Sequence, residues 1–397
     1  MTNSVLRVLY TGAPPLPQVV GCAARPMNDR FENINLLRAF AATAVVVYHV
    51  IDFTKWKTFP LEGPLLTFRI GWIGVDLFFV ISGFVITRSA IALWLSDPGE
   101  FRRNYWARRL SRIVPLYVLT GALWVALSKP GFFDQPVRAL WQIAAHLTFT
   151  HSFWLGTFDS IDGVNWTLAL EMQFYLAVAL LIPWLARTPG WRIWVYCILI
   201  AWAWRATMYY FFGHLTPYLF FMRLMQLPAA LDEFGAGIFL AKLLDRHPRP
   251  GSIAGWIWAF AAVVVGTVCM GVYWPRASYW DLPGMVIFWR TLLGAFFLCV
   301  VAAAALLPSF AEMWPLRPVR YLGEVSYGIY LWHLFAILAC VRILDITPMQ
   351  TLWTALALTV LMAATSWHFF EKPILDYGRR FGVRRSRPLQ SAAPNAP

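Results

Sequence analysis

The sequence predicts an all-α, polytopic integral membrane protein, with about ten transmembrane helices and one re-entrant or interfacial outer segment. Three observations predict it. Hydrophobic residues make up 59% of the 397 and charged residues only 13%, against about half and about a quarter in soluble domains. Apolar stretches of about 20 residues, long enough to cross ~30 Å of hydrocarbon, recur along the chain. The 22 tryptophans suit membrane interfaces. Such a composition excludes a soluble enzyme, a disordered chain and a secreted disulfide scaffold. It leaves transport, catalysis and anchoring open.

In chain order the spans fall at 34–53, 72–95, 113–129, 166–186, 192–212, 218–241, 252–273, 285–307, 323–344 and 350–370. The stretch 137–155 holds Arg138, Gln142, His146 and His151, which suit a lipid-facing span poorly. Its placement follows from charge. With the N-terminus in the cytoplasm, two spans return the chain inside at Arg102, Arg103, Arg108, Arg109 and Arg112. If 137–155 stays outside, then Arg187 and Arg192, Lys242, Arg246 and Arg249, Arg317 and Arg320, and the basic C-terminus all fall inside, and Asp345 outside. A crossing at 137–155 would reverse most of these, against the positive-inside rule. The expected organisation is a cytoplasmic tail at 1–32, a transmembrane domain at 33–375 and a cytoplasmic tail at 376–397, basic and then Pro/Ala-rich. The formal net charge of +13 is read as cytoplasmic loops and not as a nucleic-acid partner. Cys197, Cys269, Cys299 and Cys340 lie in apolar runs and Cys22 in the N-terminal tail, without metal-ligand spacing. They are read as packing residues, with no disulfide and no metal site expected.

Ionisable groups inside spans are costly and mark candidate sites. Arg38 and His49 are eleven positions apart in the first span, close to three turns, so both project from one face about 16 Å apart. Asp76, in the second span, and Glu171, in the fourth, both lie within two turns of the outer face. Counting along the spans therefore puts His49, Asp76 and Glu171 in one layer. Ser82 and Gly83 fall near mid-membrane, where small residues admit either a ligand or a neighbouring helix. His333 sits near mid-depth in the ninth span. Arg108, Arg109 and Arg112 enter the third span ahead of Pro115; they suit either a phosphate-bearing ligand or lipid headgroups. His368 and Glu371 are expected at the interface, and His146 and His151 in solvent.

Five stretches then combine: Arg38 with His49, Gly-Val-Asp-Leu-Phe-Phe-Val-Ile-Ser-Gly-Phe at 74–84, Arg-Arg-Leu-Ser-Arg-Ile-Val-Pro-Leu-Tyr at 108–117, Trp-Thr-Leu-Ala-Leu-Glu-Met-Gln-Phe-Tyr at 166–175, and Tyr-Gly-Ile-Tyr-Leu-Trp-His at 327–333. In this order they resemble the acyltransferase-3 family of membrane acyltransferases, over about residues 33–375. The resemblance implies a multi-pass protein of the bacterial cytoplasmic membrane, and the charge distribution puts both termini inside. It implies transfer of an acyl group, usually acetyl, from cytoplasmic acyl-coenzyme A to a hydroxyl of a glycan or lipid-linked saccharide. Acyl-coenzyme A is then a co-substrate, and no tightly bound cofactor is expected. The family's essential histidine matches His49 and its paired basic residue Arg38. Some members carry a further extracytoplasmic domain; this chain ends soon after the last span and reads as a stand-alone form.

The basic groups (Arg38, Arg108, Arg109, Arg112) fall on the inner half, with His49 and the carboxylates on the outer half. One reading makes His49 the general base, with Glu171 or Asp76 orienting its ring. Another makes it an acyl-histidine nucleophile. Ser82, Gly83 and His333 complete the expected donor site, with His333 either at the thioester or holding its helix, and Asp76 alternatively paired with an arginine. The rival from another class is a transporter or flippase without acyl chemistry, although no inverted repeat is visible. A glycosyltransferase would call for an outer loop rich in carboxylates, and 130–165 has only Asp134, Asp159 and Asp162.

Overall fold

The structure, a computed structural model, describes residues 31–60, 65–245, 253–275, 279–344 and 346–382. The tail through residue 30 with Cys22, the loop positions Arg246 and Arg249, Asp345 and everything beyond 382 lie outside the described residues. No strand occurs among the described residues. The helices are α1 (Glu32–Phe53), α2 (Ile73–Ser96), α3 (Phe101–Ser128), α4 (Pro136–Leu147), α5 (Trp166–Arg187), α6 (Gly190–Phe212), α7 (Pro217–Leu224), α8 (Leu227–Asp245), α9 (Ile253–Tyr273), α10 (Arg290–Leu306), α11 (Arg317–Glu324), α12 (Ser326–Ala339), α13 (Pro348–Ser366) and α14 (Lys372–Gly382). A π turn, Met285–Trp289, leads into α10.

Eight helical runs among the described residues are long and apolar enough to cross a membrane. The fifth and sixth expected spans correspond to α6 and α8, whose apolarity is diluted by Arg205, Asp232 and Glu233. The sixth expected span is broken at Met225 and Gln226. Pro228 lacks an N–H and so cannot continue a helix from Met225, but in a first turn that N–H is not needed, and the helix restarts at Leu227. The third expected span begins too late. Phe101–Ser128 is one helix with Pro115 inside it, so Arg108, Arg109 and Arg112 lie on a helix and not in a loop. Lipid is the natural cover for α9, which exposes Trp256, Ile257, Phe260 and Val263.

Helix directions settle how 137–155 is routed. The Tyr105 hydroxyl of α3 donates to Tyr175 O of α5 at 3.1 Å. Further along α3, Tyr117 packs on Phe149 with ring centroids 4.8 Å apart, and Gly121 approaches Ile161. Thus α3 and α5 run antiparallel, and residues 129–165 leave and rejoin the bundle at the same end. The segment does not cross, and α4, at 12 residues, is about 18 Å long. Its histidines are not solvated as expected. His146 and His151 are buried and stacked, with centroids 4.0 Å apart and planes 6° apart. Tyr117 Oη lies 2.9 Å from His146 Nδ1. Burial pulls both imidazoles below their ordinary range, to about 3 and about 4.

Close approach of backbones sets the remaining register. A Cβ on Gly71 or Gly74 of the α2 segment would run into Ala44 O or Ala41 O of α1. Gly83 and Gly237 likewise bring α2 against α8, each without room for a Cβ. The α1–α2 register carries Asp76 to the level of Ala39, ten residues or about 15 Å from His49.

That depth joins Asp76 to an ionic cluster. Arg205 of α6 makes a two-point pair with Asp232 of α8, Nη2 to Oδ1 at 2.7 Å and Nη1 to Oδ2 at 2.9 Å. Arg290 of α10 contacts Glu233 at 3.0 Å through Nε and Asp76 at 2.5 Å through Nη2. All five side chains are buried. Removing one partner strands the others. Arg290→Met is therefore expected to lower the stability of the purified protein by about 3–5 kcal/mol, read by thermal or denaturant unfolding in detergent. Adding Asp76→Asn and Glu233→Gln should recover part of the loss.

Candidate active site

A cavity of about 160 Å³ opens between five helices. Each supplies residues from one of the five stretches singled out in the sequence or the position beside it. From α1 comes Arg38, from α2 Ser82, from α3 Arg109 and Arg112, from α5 Thr167, Glu171 and Tyr175, and from α12 Ser326, Tyr327 and Tyr330. Residues 82, 171 and 175 meet because α2 and α5 pack side by side. Ser82 Oγ donates to Glu171 Oε1 at 2.9 Å, and Tyr175 Oη donates to the same oxygen at 2.6 Å. Arg38 Nε donates to Ser326 Oγ at 3.2 Å. Arg109 lies over the rings of Tyr105 and Tyr175, 5.7 and 5.5 Å from their centroids, and its Nε is buried without a hydrogen-bond partner. Three guanidinium groups against one carboxylate leave the cavity with an excess of positive charge, suited to an anionic ligand.

The opposite end of the cavity is lined by Thr167 and Tyr330, whose hydroxyls are 2.8 Å apart. Tyr330 Oη also donates to Val164 O at 2.9 Å. One turn further along α12 stands His333. Its Nδ1 lies 2.6 Å from Tyr330 O and its Nε2 3.2 Å from His49 Nδ1. The same His49 nitrogen is 2.9 Å from Val45 O. The Arg38–Ser326 and His49–His333 contacts occur in the same order along α1 and α12, so these helices run parallel, as spans one and nine must.

The site residues read from the sequence therefore separate into groups. Arg38, Arg109, Arg112, Ser82 and Glu171 share the cavity. His49 and His333 form a pair beyond its far end. Arg108 is exposed and absent from the cavity wall, because it sits about 100° around α3 from Arg109. Gly83 turns toward α8, where it permits helix packing and leaves no face for a ligand. Asp76 is held by Arg290. The single layer of His49, Asp76 and Glu171 does not form: Glu171 meets Ser82, six residues or about 9 Å deeper along α2 than Asp76. Neither carboxylate hydrogen-bonds His49; His333 occupies that position. Glu371, expected at the interface, is buried and accepts from Ser366 Oγ at 2.9 Å.

Several participants carry little signal in the sequence. Tyr175, Tyr327 and Tyr330 bring hydroxyls into otherwise apolar spans, a weak signal in a chain with 15 tyrosines. Arg205, Asp232, Glu233 and Arg290 satisfied the same rule that selected Asp76, and that rule applied to every span finds them.

A family model described as an acyltransferase domain matches residues 31–371. The chain belongs to this acyltransferase family. Among its curated relatives is a peptidoglycan O-acetyltransferase, OatA, of Listeria monocytogenes. It is 26% identical over 375 residues, covering 87% of this chain and 56% of the relative. The O-acetyltransferase OatA of Staphylococcus aureus is 27% identical over 370 residues, covering 86% and 57%. The chain spans about half the length of these relatives. No solved structure matches it.

Within this acyltransferase domain, the loop before α5 supports Tyr330 and Thr167 from outside the spans. Its Asp162 is buried and accepts the Val164 N–H at 3.3 Å. Burial pushes the carboxyl up to about 7, with the Val164 N–H and Lys129 opposing. A carboxyl raised on folding binds its proton more tightly when folded, so stability falls as pH rises from about 4 to about 7. Asp162→Asn keeps the acceptor oxygen and is expected to remove this fall. Thermal unfolding should find the variant more stable than wild type above about pH 7 and equal to it near pH 4.

Proposed function

We propose that the chain is a membrane O-acyltransferase that moves an acyl group, acetyl by analogy with its relatives, from acyl-coenzyme A to a hydroxyl of a cell-surface glycan. The observation that carries this reading is the polarity of the five-helix cavity. Arginines gather at one end, and a histidine pair follows the other end along two parallel helices. In this reading Arg109 and Arg112 take the coenzyme's phosphates, and the pantetheine arm runs along the cavity toward Tyr330. The arginine end then faces the cytoplasm, as charge placement along the sequence favours. The relative that is a peptidoglycan O-acetyltransferase suggests a peptidoglycan hydroxyl as the acceptor.

The chemistry needs a proton acceptor at the hydroxyl and no redox partner. His49 takes the hydroxyl proton as the oxygen attacks the thioester carbonyl. The new C–O bond forms, the C–S bond breaks, and the leaving thiolate recovers the proton from the imidazolium. General-base assistance of this kind contributes about 10²- to 10⁴-fold.

His49→Ala is therefore expected to keep its fold and lose acyl transfer by about that factor, measured as thiol release from acetyl-coenzyme A with a soluble glycan acceptor. Transfer at the wild-type rate would sink the assignment. Arg109→Gln and Arg112→Gln should each weaken coenzyme A binding about tenfold, with a shallower salt dependence than wild type. An unchanged isotherm would remove the arginines from the donor site.

A further inference from the structure

We infer that His333 is a positioning residue that, together with Val45 O, fixes the tautomer and orientation of His49 and leaves His49 Nε2 as its proton-accepting atom. The inference rests on His49 acting as the base and concerns how that base is set.

The argument runs along four atoms. Tyr330 O can only accept, so His333 Nδ1, 2.6 Å away, carries a hydrogen. In the neutral ring His333 Nε2 is then a lone pair. That lone pair lies 3.2 Å from His49 Nδ1. Val45 O, also only an acceptor, lies 2.9 Å from the same nitrogen. Two acceptors converge on His49 Nδ1, so it carries the hydrogen, and the lone pair falls to Nε2. The rings stand 4.9 Å apart at 49°, which keeps one nitrogen of each directed at the other.

This arrangement follows the logic of a triad with a neutral third member. The third group holds the imidazole in one tautomer and strengthens its hydrogen bond when the ring takes a proton. Here a second imidazole, anchored by the backbone of its own helix, replaces the carboxylate. Protonating His333 would set two N–H groups against each other across 3.2 Å, so the pair works only with His333 neutral. His333 needs no contact with substrate for this role, in contrast to an assignment at the thioester.

The test separates positioning from structure and from donor binding. In His333→Gln the carboxamide oxygen still accepts from His49 Nδ1; in His333→Leu only Val45 O remains as an acceptor, and the ring loses its side-chain partner. His333→Leu is expected to lower kcat about 10- to 100-fold, with KM for acetyl-coenzyme A changed by less than about twofold. His333→Gln should retain activity within several-fold of wild type. In a His49→Ala background, His333→Leu should cost nothing more. Equal losses in folded Gln and Leu variants, or a raised KM with kcat intact, would overturn the inference. If His333→Leu does not fold, the ¹⁵N spectrum of histidine-labelled wild type decides: a protonated His333 Nε2 would remove it as the acceptor and overturn the inference. The His49 signals, assigned by their loss in His49→Gln, should show a protonated Nδ1 and an unprotonated Nε2, and the reverse pattern overturns the tautomer. An active His49→Ala protein would instead remove the base reading, with the tautomer still judged by the spectrum.

Discussion

The structure depends on one constraint: a charge that enters hydrocarbon must find its counter-charge there. Asp76, Arg205, Asp232, Glu233 and Arg290 come from four helices, α2, α6, α8 and α10, and each finds an oppositely charged side-chain type among the others inside the bundle. Meeting that requirement sets the relative depth of the four helices. The Gly83–Gly237 crossing then brings α2 and α8 into backbone contact, which shorter side chains alone would not align. This cluster lies outside the cavity, yet it fixes the height of α2 and so the height of Ser82 against Glu171.

On that frame the cavity acquires two unlike ends. Arg38 and His49 share one face of α1 and are too far apart to touch, so the helix itself separates a basic pole from an imidazole pole. α12 repeats the separation with Ser326 and His333, in parallel. α3 adds arginines at the first pole, and α5 adds Glu171 and Tyr175. The returning segment 129–165 never crosses, and supports Thr167 and Tyr330 at the second. A ligand that is anionic at one end and reactive at the other fits this polarity.

The sequence made much of this legible. The all-helical membrane class followed from composition, the non-crossing of 137–155 from the distribution of arginine and lysine, and the five helices that line the cavity from five short stretches. Arg38, Arg109, Arg112, Ser82 and Glu171 were named from the sequence and meet in space. What failed was depth. Counting residues from the predicted ends of spans put His49, Asp76 and Glu171 in one layer. Helices start at different heights, and α5 begins deeper than its apolar stretch suggested, so Glu171 moved to Ser82. The partner of His49 is also not legible in spacing, which offers Glu171 or Asp76 for it and puts His333 either at the thioester or on a helix contact; in the structure His333 Nε2 is 3.2 Å from His49 Nδ1.

By itself the sequence determined which residues are polar within apolar helices, the order of the spans and which end of each is basic. These follow from local composition and from the cost of placing charge in lipid, and neither needs a neighbour. Only the tertiary structure decided which polar residues meet. That choice rests on backbone contacts at Gly71, Gly74, Gly83 and Gly237, where a missing Cβ sets the register between two helices. It separated Asp76, held by Arg290, from His49, which faces an imidazole. A helix read alone has a periodicity but no zero of depth, and the packing of its neighbours supplies that zero.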